Sequence, residues 1–313
     1  MKAAVVTAAG LPPAYLDFAE PQPWAGEVRI AVTAAAVSPL ARGRAAGVHY
    51  SATNQFPFIA GIDGVGRLED GARVYFFMPR PPFGAMAERA AAPAAACIPL
   101  PDGLDDATAA AIANPAMSSW AALRERARLK AGETVLVNGA AGAAGRLAVQ
   151  IAKHLGAKKV IATARNADAL ASVGADATIP LVADGDALEA RFREEFAQGV
   201  DVVLDYVWGP SAERLLAAAA KTAKPGVAMR FVQIGSPAGP DITLPSAVLR
   251  SSAIELMGSG LGSVAPEGFL RSIRNLFEAC GPAGLSIATR TAPLSEVGRV
   301  WGEKDSRRLV LTR

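Results

Sequence analysis

The sequence holds few of the residue types that bind metals or cross-link chains. Its 313 residues include two cysteines, Cys97 and Cys280, and two histidines, His49 and His154. Neither cysteine belongs to a C-x-x-C pair. This excludes a cysteine-based structural zinc site and argues against a disulfide framework.

Long apolar runs and a large net charge are missing as well. No stretch of about 18 apolar residues runs free of charged or turn residues, so no transmembrane helix is predicted. The first residues, MKAAVVTAAG, lack the longer apolar core of a signal peptide. The net charge is only +3, and basic residues are spread along the chain, so nucleic-acid binding is not indicated. We expect a cytoplasmic protein that binds neither membrane nor nucleic acid.

Short apolar segments, by contrast, are abundant. A hydrophobic content of 51% and a mean hydropathy of +0.24 predict large buried sheets. In residues 1–115 the apolar segments are short and separated by Gly and Pro turns, which predicts an all-β, barrel-like domain. In residues 116–280, strand-like and helical stretches alternate, which predicts a doubly wound parallel sheet of six strands. Asn114 and Pro115 are predicted to break the helix at the border, and the tail 281–313 is expected to return to the first domain.

The segment 134–166 organises the second domain. Thr134–Asn138 is a valine-rich run typical of a strand buried on both faces, and a glycine turn, a helix and a second apolar strand follow. The turn AAGAAG at 140–145 fits A-x-G-x-x-G. Gly142 lets backbone approach a pyrophosphate, Gly145 lets the helix pack close to the strand, and N–H groups at the helix start face the phosphates. Within this βαβ context, dinucleotide binding is favoured over a tight turn without a ligand.

The end of the second strand indicates which dinucleotide binds. NAD sites place an Asp or Glu there for the ribose 2′-hydroxyl, but this chain has Thr163, Ala164, Arg165 and Asn166. A guanidinium is well shaped to pair with a 2′-phosphate, although an arginine before a helix can also be simply solvated. The sequence therefore favours NADPH over NADH.

An ordered set of motifs resembles the zinc-independent quinone oxidoreductase branch of the medium-chain dehydrogenase/reductase superfamily. GIDGVG at 61–66 is similar to the G-x-D-x-x-G strand of that family. The other motifs are RVY at 73–75, GAMAE at 84–88, PLPDGL at 99–104, the glycine turn, and RLVL at 308–311. Each motif is weak alone, but their order covers nearly the whole chain.

The resemblance implies a GroES-like catalytic domain formed by residues 1–115 and 281–313, and a Rossmann NADPH-binding domain formed by residues 116–280. The active site is then expected in the cleft between them. Relatives that hold zinc carry Gly-His-Glu where this chain has Gly61, Ile62 and Asp63, and a cysteine near the position of Ser38. Ile62 and Ser38 are not an equivalent pair of zinc ligands, and His49 alone cannot supply a site, so we expect no metal.

Without a Lewis acid, hydride transfer to a quinone or an α,β-unsaturated carbonyl is the expected reaction. Hydride goes to carbon, and the charge delocalises into an enolate that needs hydrogen bonds and a proton. The resemblance places the substrate side in residues 38–54, where Tyr50 and His49 are the catalytic candidates and Ser38 and Arg42 are weaker ones. The alternatives are that Tyr50 packs on the barrel and that His49 is a surface residue.

The remaining cofactor candidates follow from their position in the fold. As alternatives, Trp208 could equally pack under its loop, and the glycines could serve only to form turns. The full cofactor-binding set is Asn114, Ser118, Ala141, Gly142, Ala143, Ala144, Thr163, Arg165, Asn166, Tyr206, Trp208, Ile234, Gly235, Ser236, Gly258, Ser259, Gly260 and Arg308. The family also implies a homodimer that pairs Rossmann edge strands near 247–257. Two other functions stay open: an enoyl-thioester reductase, and a non-catalytic NADPH-binding redox sensor.

Overall fold

The computed structural model describes residues 1–53, 55–181 and 185–313; Asn54, which ends the predicted substrate segment, lies outside them. The chain forms two compact units. Unit 1 comprises Met1–Asn114 and Ile273–Arg313, and unit 2 comprises Pro115–Ser272. The chain thus passes between units within one helix near residue 115 and within another near residue 272, whereas the sequence placed the second border at residue 280.

Unit 1 is built mainly from antiparallel strands. Its strands are β1 (Lys2–Val6), β2 (Ala14–Asp17), β3 (Glu27–Ala36), β4 (Phe58–Ile59), β5 (Asp63–Arg67), β6 (Arg73–Phe77), β7 (Arg89–Pro93), β8 (Cys97–Pro99), β15 (Thr289–Pro293) and β16 (Arg308–Thr312). Two short helices, α1 (Pro39–Ala45) and α9 (Val297–Val300), accompany them. The strands form a three-stranded sheet, β2-β1-β4, and a seven-stranded sheet, β15-β16-β3-β5-β6-β8 with β7 also on β3.

The tail of the chain is part of the core of unit 1. Strand β16 pairs antiparallel with β3, through Val310 opposite Ala36. Val297, Trp301 and Leu309 belong to the same buried cluster as Ile30 and Phe76. Burial of these apolar side chains is the main force that holds the tail in place.

Unit 2 is a single six-stranded parallel sheet flanked by helices. Its strands are β9 (Thr134–Asn138), β10 (Lys159–Ala164), β11 (Ala177–Pro180), β12 (Val202–Asp205), β13 (Ala228–Gln233) and β14 (Ala253–Gly258). The helices are α3 (Ala143–His154), α4 (Ala167–Ala171), α5 (Gly185–Gln198), α6 (Gly209–Thr222) and α7 (Ser246–Arg250), while α2 (Asp106–Ala121) and α8 (Pro266–Cys280) cross into unit 1. The strand order β11-β10-β9-β12-β13-β14 reverses direction at β9, which is the doubly wound Rossmann arrangement.

The predicted fold class is therefore confirmed: an α/β protein with a doubly wound parallel sheet and a second, barrel-like β unit of the GroES type. The predicted strand at Thr134–Asn138 has the observed bounds. The proline-rich segment 11–24 contains the short strand β2.

The predicted helix break at Pro115 is wrong. Helix α2 runs through Pro115 to Ala121 and continues as a π-helical turn, Ala122–Arg126. Residues 109–113 and Ala116 are fully buried small or aliphatic side chains. Close packing of these residues outweighs the cost of an internal proline, which is about 3 kcal/mol.

Candidate functional site

The glycine turn after β9 is shaped by three glycines with different tasks. Gly139 has a φ of +90°, and a Cβ there would lie 2.6 Å from Val207 Cγ2. A Cβ on Gly145 would lie 2.3 Å from the carbonyl oxygen of Gly139, so only glycine lets α3 start this close to β9. A Cβ on Gly142 would meet nothing closer than 3.7 Å. Gly139 thus takes the role of the first glycine, one residue before the motif recognised in the sequence.

The backbone at Gly142 borders open space at the start of α3. Gly142 is the N-cap of α3 and contributes no side-chain cap, and the first turn of α3 carries no acidic residue. The N–H groups at the start of a helix have no intrahelical acceptor. Ala143 and Ala144 therefore present donors to an anion without a competing side chain, at the positive end of the helix dipole.

A buried hydrogen-bond network fixes the strands around this turn. Asn138 donates through Nδ2 to Asp205 Oδ1 at 2.8 Å and accepts at Oδ1 from the Thr163 hydroxyl at 2.6 Å. The carbonyl of Thr163 accepts from the N–H groups of Gly139 and Ala140. Thr163 therefore uses its side chain and carbonyl to hold the turn. Sequence reading missed Asn138 and Asp205, although both are polar residues that end buried strands.

Asp205 shapes the next loop. One of its carboxylate oxygens accepts from the N–H groups of Val207 at 3.0 Å and Trp208 at 3.1 Å, and burial raises the pKa of this carboxyl. Trp208 has a φ of +62°, a conformation that non-glycine residues rarely adopt, and its indole N–H donates to the Pro240 carbonyl. Such strain persists where surrounding contacts hold it, often at ligand sites.

Ser119, near the start of unit 2, links helix α2 to the loop that follows β12. Its hydroxyl lies 2.8 Å from the Tyr206 hydroxyl and donates to the carbonyl of Ala144 at 3.1 Å. Burial raises the pKa of Tyr206 well above its usual range. Asn114 and Ser118 lie one turn apart on α2 and are only partly buried, unlike the neighbouring apolar residues. They form one polar face on an otherwise buried helix.

Most of the predicted cofactor residues meet at one edge of the sheet. The parallel register puts the ends of β9, β10, β12, β13 and β14 side by side. A cavity of about 420 Å³ at this edge is lined by Trp208, Ser236 and Gly258 together with Gln233, Pro240, Leu256 and Met257. Ile234 and Gly235 donate from their N–H groups to the Asp205 carbonyl, while the Ser259 N–H donates to the carbonyl of Gln233 and the Gly260 N–H to the hydroxyl of Ser263.

Arg165 lies exposed just after β10. Within residues 1–53, 55–181 and 185–313, no hydrogen bond or ion pair holds its guanidinium. Asn166 caps α4 by accepting from the Ala169 N–H at 2.9 Å. Arg146, which sequence reading overlooked, donates to the carbonyls of Ala141 and Ala169 and to the hydroxyl of Ser172.

In unit 1, Tyr50 and His49 lie together in the loop after α1. Their rings are 4.3 Å apart, and Tyr50 is 72% exposed. His49 Nδ1 accepts from the Ser51 N–H, so the neutral ring carries its proton on Nε2. Burial, and then the positive charge of Arg44, lower the pKa of His49.

The two positions where zinc-holding relatives have ligands carry other groups. Ser38 is buried and caps α1, accepting from the Ala41 N–H at 3.0 Å, and Ile62 is a buried hydrocarbon. In the described part of the chain, no cluster of three or more His, Cys, Asp or Glu side chains is placed to hold a metal ion. Arg42 donates to the carbonyl of Trp301. The donor set at this place does not fit zinc.

Asp63 and Tyr75 form a buried pair behind this region. The Tyr75 hydroxyl donates to Asp63 Oδ2 at 3.0 Å. Burial raises the pKa of Asp63 to about 7, although the Tyr75 hydrogen bond and the charge of Arg308 oppose that rise. Arg308 itself is half-buried and donates to the carbonyl of Val37 at 3.2 Å, so its guanidinium is engaged inside unit 1.

This pair predicts a pH-dependent stability. The pKa of Asp63 is about 7 in the folded state, against an ordinary value of 3.8 for a solvated aspartate, so the folded protein keeps a proton that the unfolded chain loses between these pH values. Stability therefore falls as pH rises through this window. As pH rises from 5 to 8, we expect the free energy of unfolding of Asp63→Asn to gain roughly 2–3 kcal/mol relative to that of wild type, measured by urea unfolding. Asp102→Asn, in an exposed turn, is the control, and a difference that does not change with pH contradicts the assignment.

None of the helices in the described ranges is both long and apolar enough to cross a membrane. Residues 143–278 match the family model described as zinc-binding dehydrogenase. The chain is 31% identical to a probable NADPH-dependent quinone reductase of Emericella nidulans, over 98% of both chains. This chain belongs to the quinone oxidoreductase branch of the medium-chain dehydrogenase/reductase superfamily.

Other relatives extend the comparison. The chain is 30% identical to prostaglandin reductase-3 of Bos taurus, over 81% of this chain and 69% of that protein. The structure of the quinone oxidoreductase from Thermus thermophilus, also solved with NADPH, superposes with a TM-score of 0.82 at 30% identity over the full length of both chains. Polyketide synthases also match, and this chain spans only 10% and 8% of the length of two of them.

Proposed function

We propose that this protein is an NADPH-dependent oxidoreductase that transfers hydride to a quinone or an α,β-unsaturated carbonyl without a metal ion. The observation that carries the proposal is the glycine turn at the carboxyl edge of the parallel sheet, which is open at Gly142. Arg165 follows at the end of the next strand, at the position where an acidic residue would select NADH. The names of the Emericella and Thermus relatives, which refer to NADPH and quinones, support it.

In this proposal the cofactor lies along the edge of unit 2. Ala141, Gly142, Ala143 and Ala144 bind the pyrophosphate, and Arg165 binds the 2′-phosphate. The other candidate residues flank the ribose and the nicotinamide: Asn114, Ser118, Tyr206, Trp208, Ile234, Gly235, Ser236, Gly258, Ser259 and Gly260. When bound, NADPH supplies the hydride. Thr163 and Asn166 support these contacts through the hydrogen bonds described above, while a role of Arg308 at the cofactor stays a prediction of the sequence.

The residues of unit 1 supply hydrogen bonds and a proton. Tyr50 Oη and His49 Nε2 both carry a proton, and either can donate it to the oxygen of a developing enolate. Ser38 and Ile62 offer no zinc ligands, so stabilisation of that charge falls to such donors. Acceptors with an activated carbon–carbon double bond or a quinone ring suit this arrangement, because they spread the charge over several atoms.

A screen of NADPH oxidation against quinones, enones, aldehydes and enoyl thioesters tests the proposal. We expect turnover with quinones or enones, reduced about 100-fold or more by removal of the residue that donates the proton. Tyr50→Phe and His49→Gln identify that residue, and Tyr15→Phe, at an exposed tyrosine of the same unit, is the control. Turnover of enoyl thioesters alone favours the thioester reductase. NADPH binding with no turnover across the panel favours the redox sensor.

We further propose that the protein is a homodimer that pairs β14 of two chains. Strand β14 ends the six-stranded sheet in the described structure, and Leu256 on it is 39% exposed. An unpaired, partly apolar edge strand is a template for pairing with a second copy. Light scattering should give a mass of two 32.1 kDa chains; a single-chain mass rejects the dimer. The cytoplasmic location stays a prediction of the sequence.

A further inference from the structure

We propose that the acceptor reduced by this enzyme carries a carboxylate, and that Arg44 binds this carboxylate in a cavity of unit 1. The inference rests on the proposed function, since it assumes that this cavity receives the acceptor. It goes beyond that function because neither quinones nor simple enones require an anionic group.

The cavity is small, and several of its walls are apolar side chains. Its volume is about 300 Å³, and its walls include Phe56, Phe58, Ile62, Met78 and Phe83. The rings of Phe56 and Phe58 lie 5.6 Å apart. A volume at the lower end of the usual range for ligand pockets suits a small acceptor, and aromatic walls suit a planar, conjugated one.

Arg44 is the one charged residue among the described residues that line this cavity. It lies in the last turn of α1 and is half-buried, and burial lowers the pKa of its guanidinium. Within the described ranges, no side-chain hydrogen bond or ion pair satisfies that guanidinium. A partly desolvated cation without a counter-charge is costly.

Several other arginines of unit 1 have partners within the chain, unlike Arg44. Arg42, two residues earlier on α1, donates to the Trp301 carbonyl. Ion pairs hold Arg73 to Asp106, Arg89 to Glu20, and Arg290 to Glu303. The guanidinium of Arg44, which lines the cavity, has no such partner in the described ranges and can accept one from outside.

The surroundings of Arg44 favour a carboxylate as that partner. His49 is the titratable neighbour whose pKa Arg44 lowers, and an imidazole carries no negative charge that could offset the guanidinium. A planar guanidinium binds a carboxylate through two parallel hydrogen bonds. The apolar walls then hold the conjugated body of the acceptor, while Arg44 fixes the end that does not react.

A matched pair of enones tests this inference. The probes are 4-phenylbut-3-en-2-one and the same compound with a carboxylate at the para position of its ring. We expect wild type to prefer the carboxylated probe. Arg44→Gln should lower kcat/KM for that probe by about 10- to 100-fold and change kcat/KM for the neutral probe by less than about twofold. Arg44→Lys, which keeps the charge, should retain part of the preference.

Controls separate this result from other causes. Arg29→Gln removes a positive charge from an exposed site in the same unit and should change neither probe. The affinity for NADPH, measured by fluorescence, should be the same in all variants. Equal losses on both probes, no preference in wild type, or weaker NADPH binding by Arg44→Gln would each overturn the role of Arg44.

Two further outcomes are distinguishable. In the first, turnover of crotonyl-coenzyme A depends on Arg44 and the carboxylated enone is not preferred. Arg44 would then bind the phosphates of a thioester, and the proposal of a carboxylate on the acceptor would be wrong. If wild type oxidises NADPH with neither enone and with no quinone, the proposed function itself fails. Turnover of quinones and of the neutral enone without an effect of Arg44→Gln rejects only the present inference.

Discussion

Gly145→Ala is expected to destabilise unit 2 by about 3 kcal/mol or more. The added Cβ would lie 2.3 Å from the Gly139 carbonyl oxygen and 2.6 Å from Ala140 Cα. Both atoms are backbone atoms of the turn, so no side-chain rotation relieves the overlap, and α3 must move away from β9. Urea unfolding followed by circular dichroism measures the loss, and NADPH binding should fall with it.

Gly142→Ala is the matched control, since it adds the same methyl group three residues earlier. Gly142 has a φ of −73°, which alanine adopts readily, and the nearest atom would be 3.7 Å from the new Cβ. We expect unchanged stability but NADPH binding weakened by about tenfold or more, because the methyl group enters the space proposed for the pyrophosphate. Equal stability losses in the two variants would contradict the different roles assigned to these glycines.

Arg165→Ala is expected to raise the dissociation constant for NADPH by about 10- to 100-fold and to leave that for NADH nearly unchanged. The charge-assisted hydrogen bonds to a 2′-phosphate are worth about 1.5–3 kcal/mol, and NADH has no such group. Fluorescence titration of both cofactors measures the effect, which should shrink at high ionic strength because Arg165 is exposed.

Arg193→Ala provides the control for Arg165, because Arg193 is another exposed arginine of unit 2. It should bind both cofactors as wild type does. If Arg165→Ala weakens NADH and NADPH equally, the arginine does not read the 2′-phosphate. If wild type binds NADH more tightly than NADPH, the proposed role of Arg165 is wrong.

The parts of the fold that the sequence predicted well are those determined locally. The strand Thr134–Asn138 and the turn after it follow from a valine run that ends in glycines, and these signals lie within a dozen residues. The continuation of α2 through Pro115 could not be predicted in this way. There, the burial of residues 109–113 decides the outcome, and a single-sequence rule for proline does not include it.

The same distinction applies to the candidate site. The sequence located the turn and the strand ends, because parallel strands bring their carboxyl ends to one edge. It did not identify Asn138 as the partner of Asp205, since these residues are 67 positions apart. It missed the position of Arg44 for a similar reason. The walls of the cavity come from α1, from residues 52, 53, 55–59, 61 and 62, and from residues 78, 79 and 81–83, and such a set has no signature in sequence order.

The hydrogen bonds of Arg146 bear on how easily the cofactor preference could be redesigned. This side chain joins the Ala141 carbonyl in the glycine turn to Ala169 and Ser172 around α4, the helix that Arg165 and Asn166 introduce. Exchanging Arg165 for an acid would change the charge at that helix start, while Arg146 would transmit any shift of α4 to the glycine turn. A variant library aimed at NADH should therefore vary positions 146, 165 and 172 together, because the two recognition elements are not independent modules.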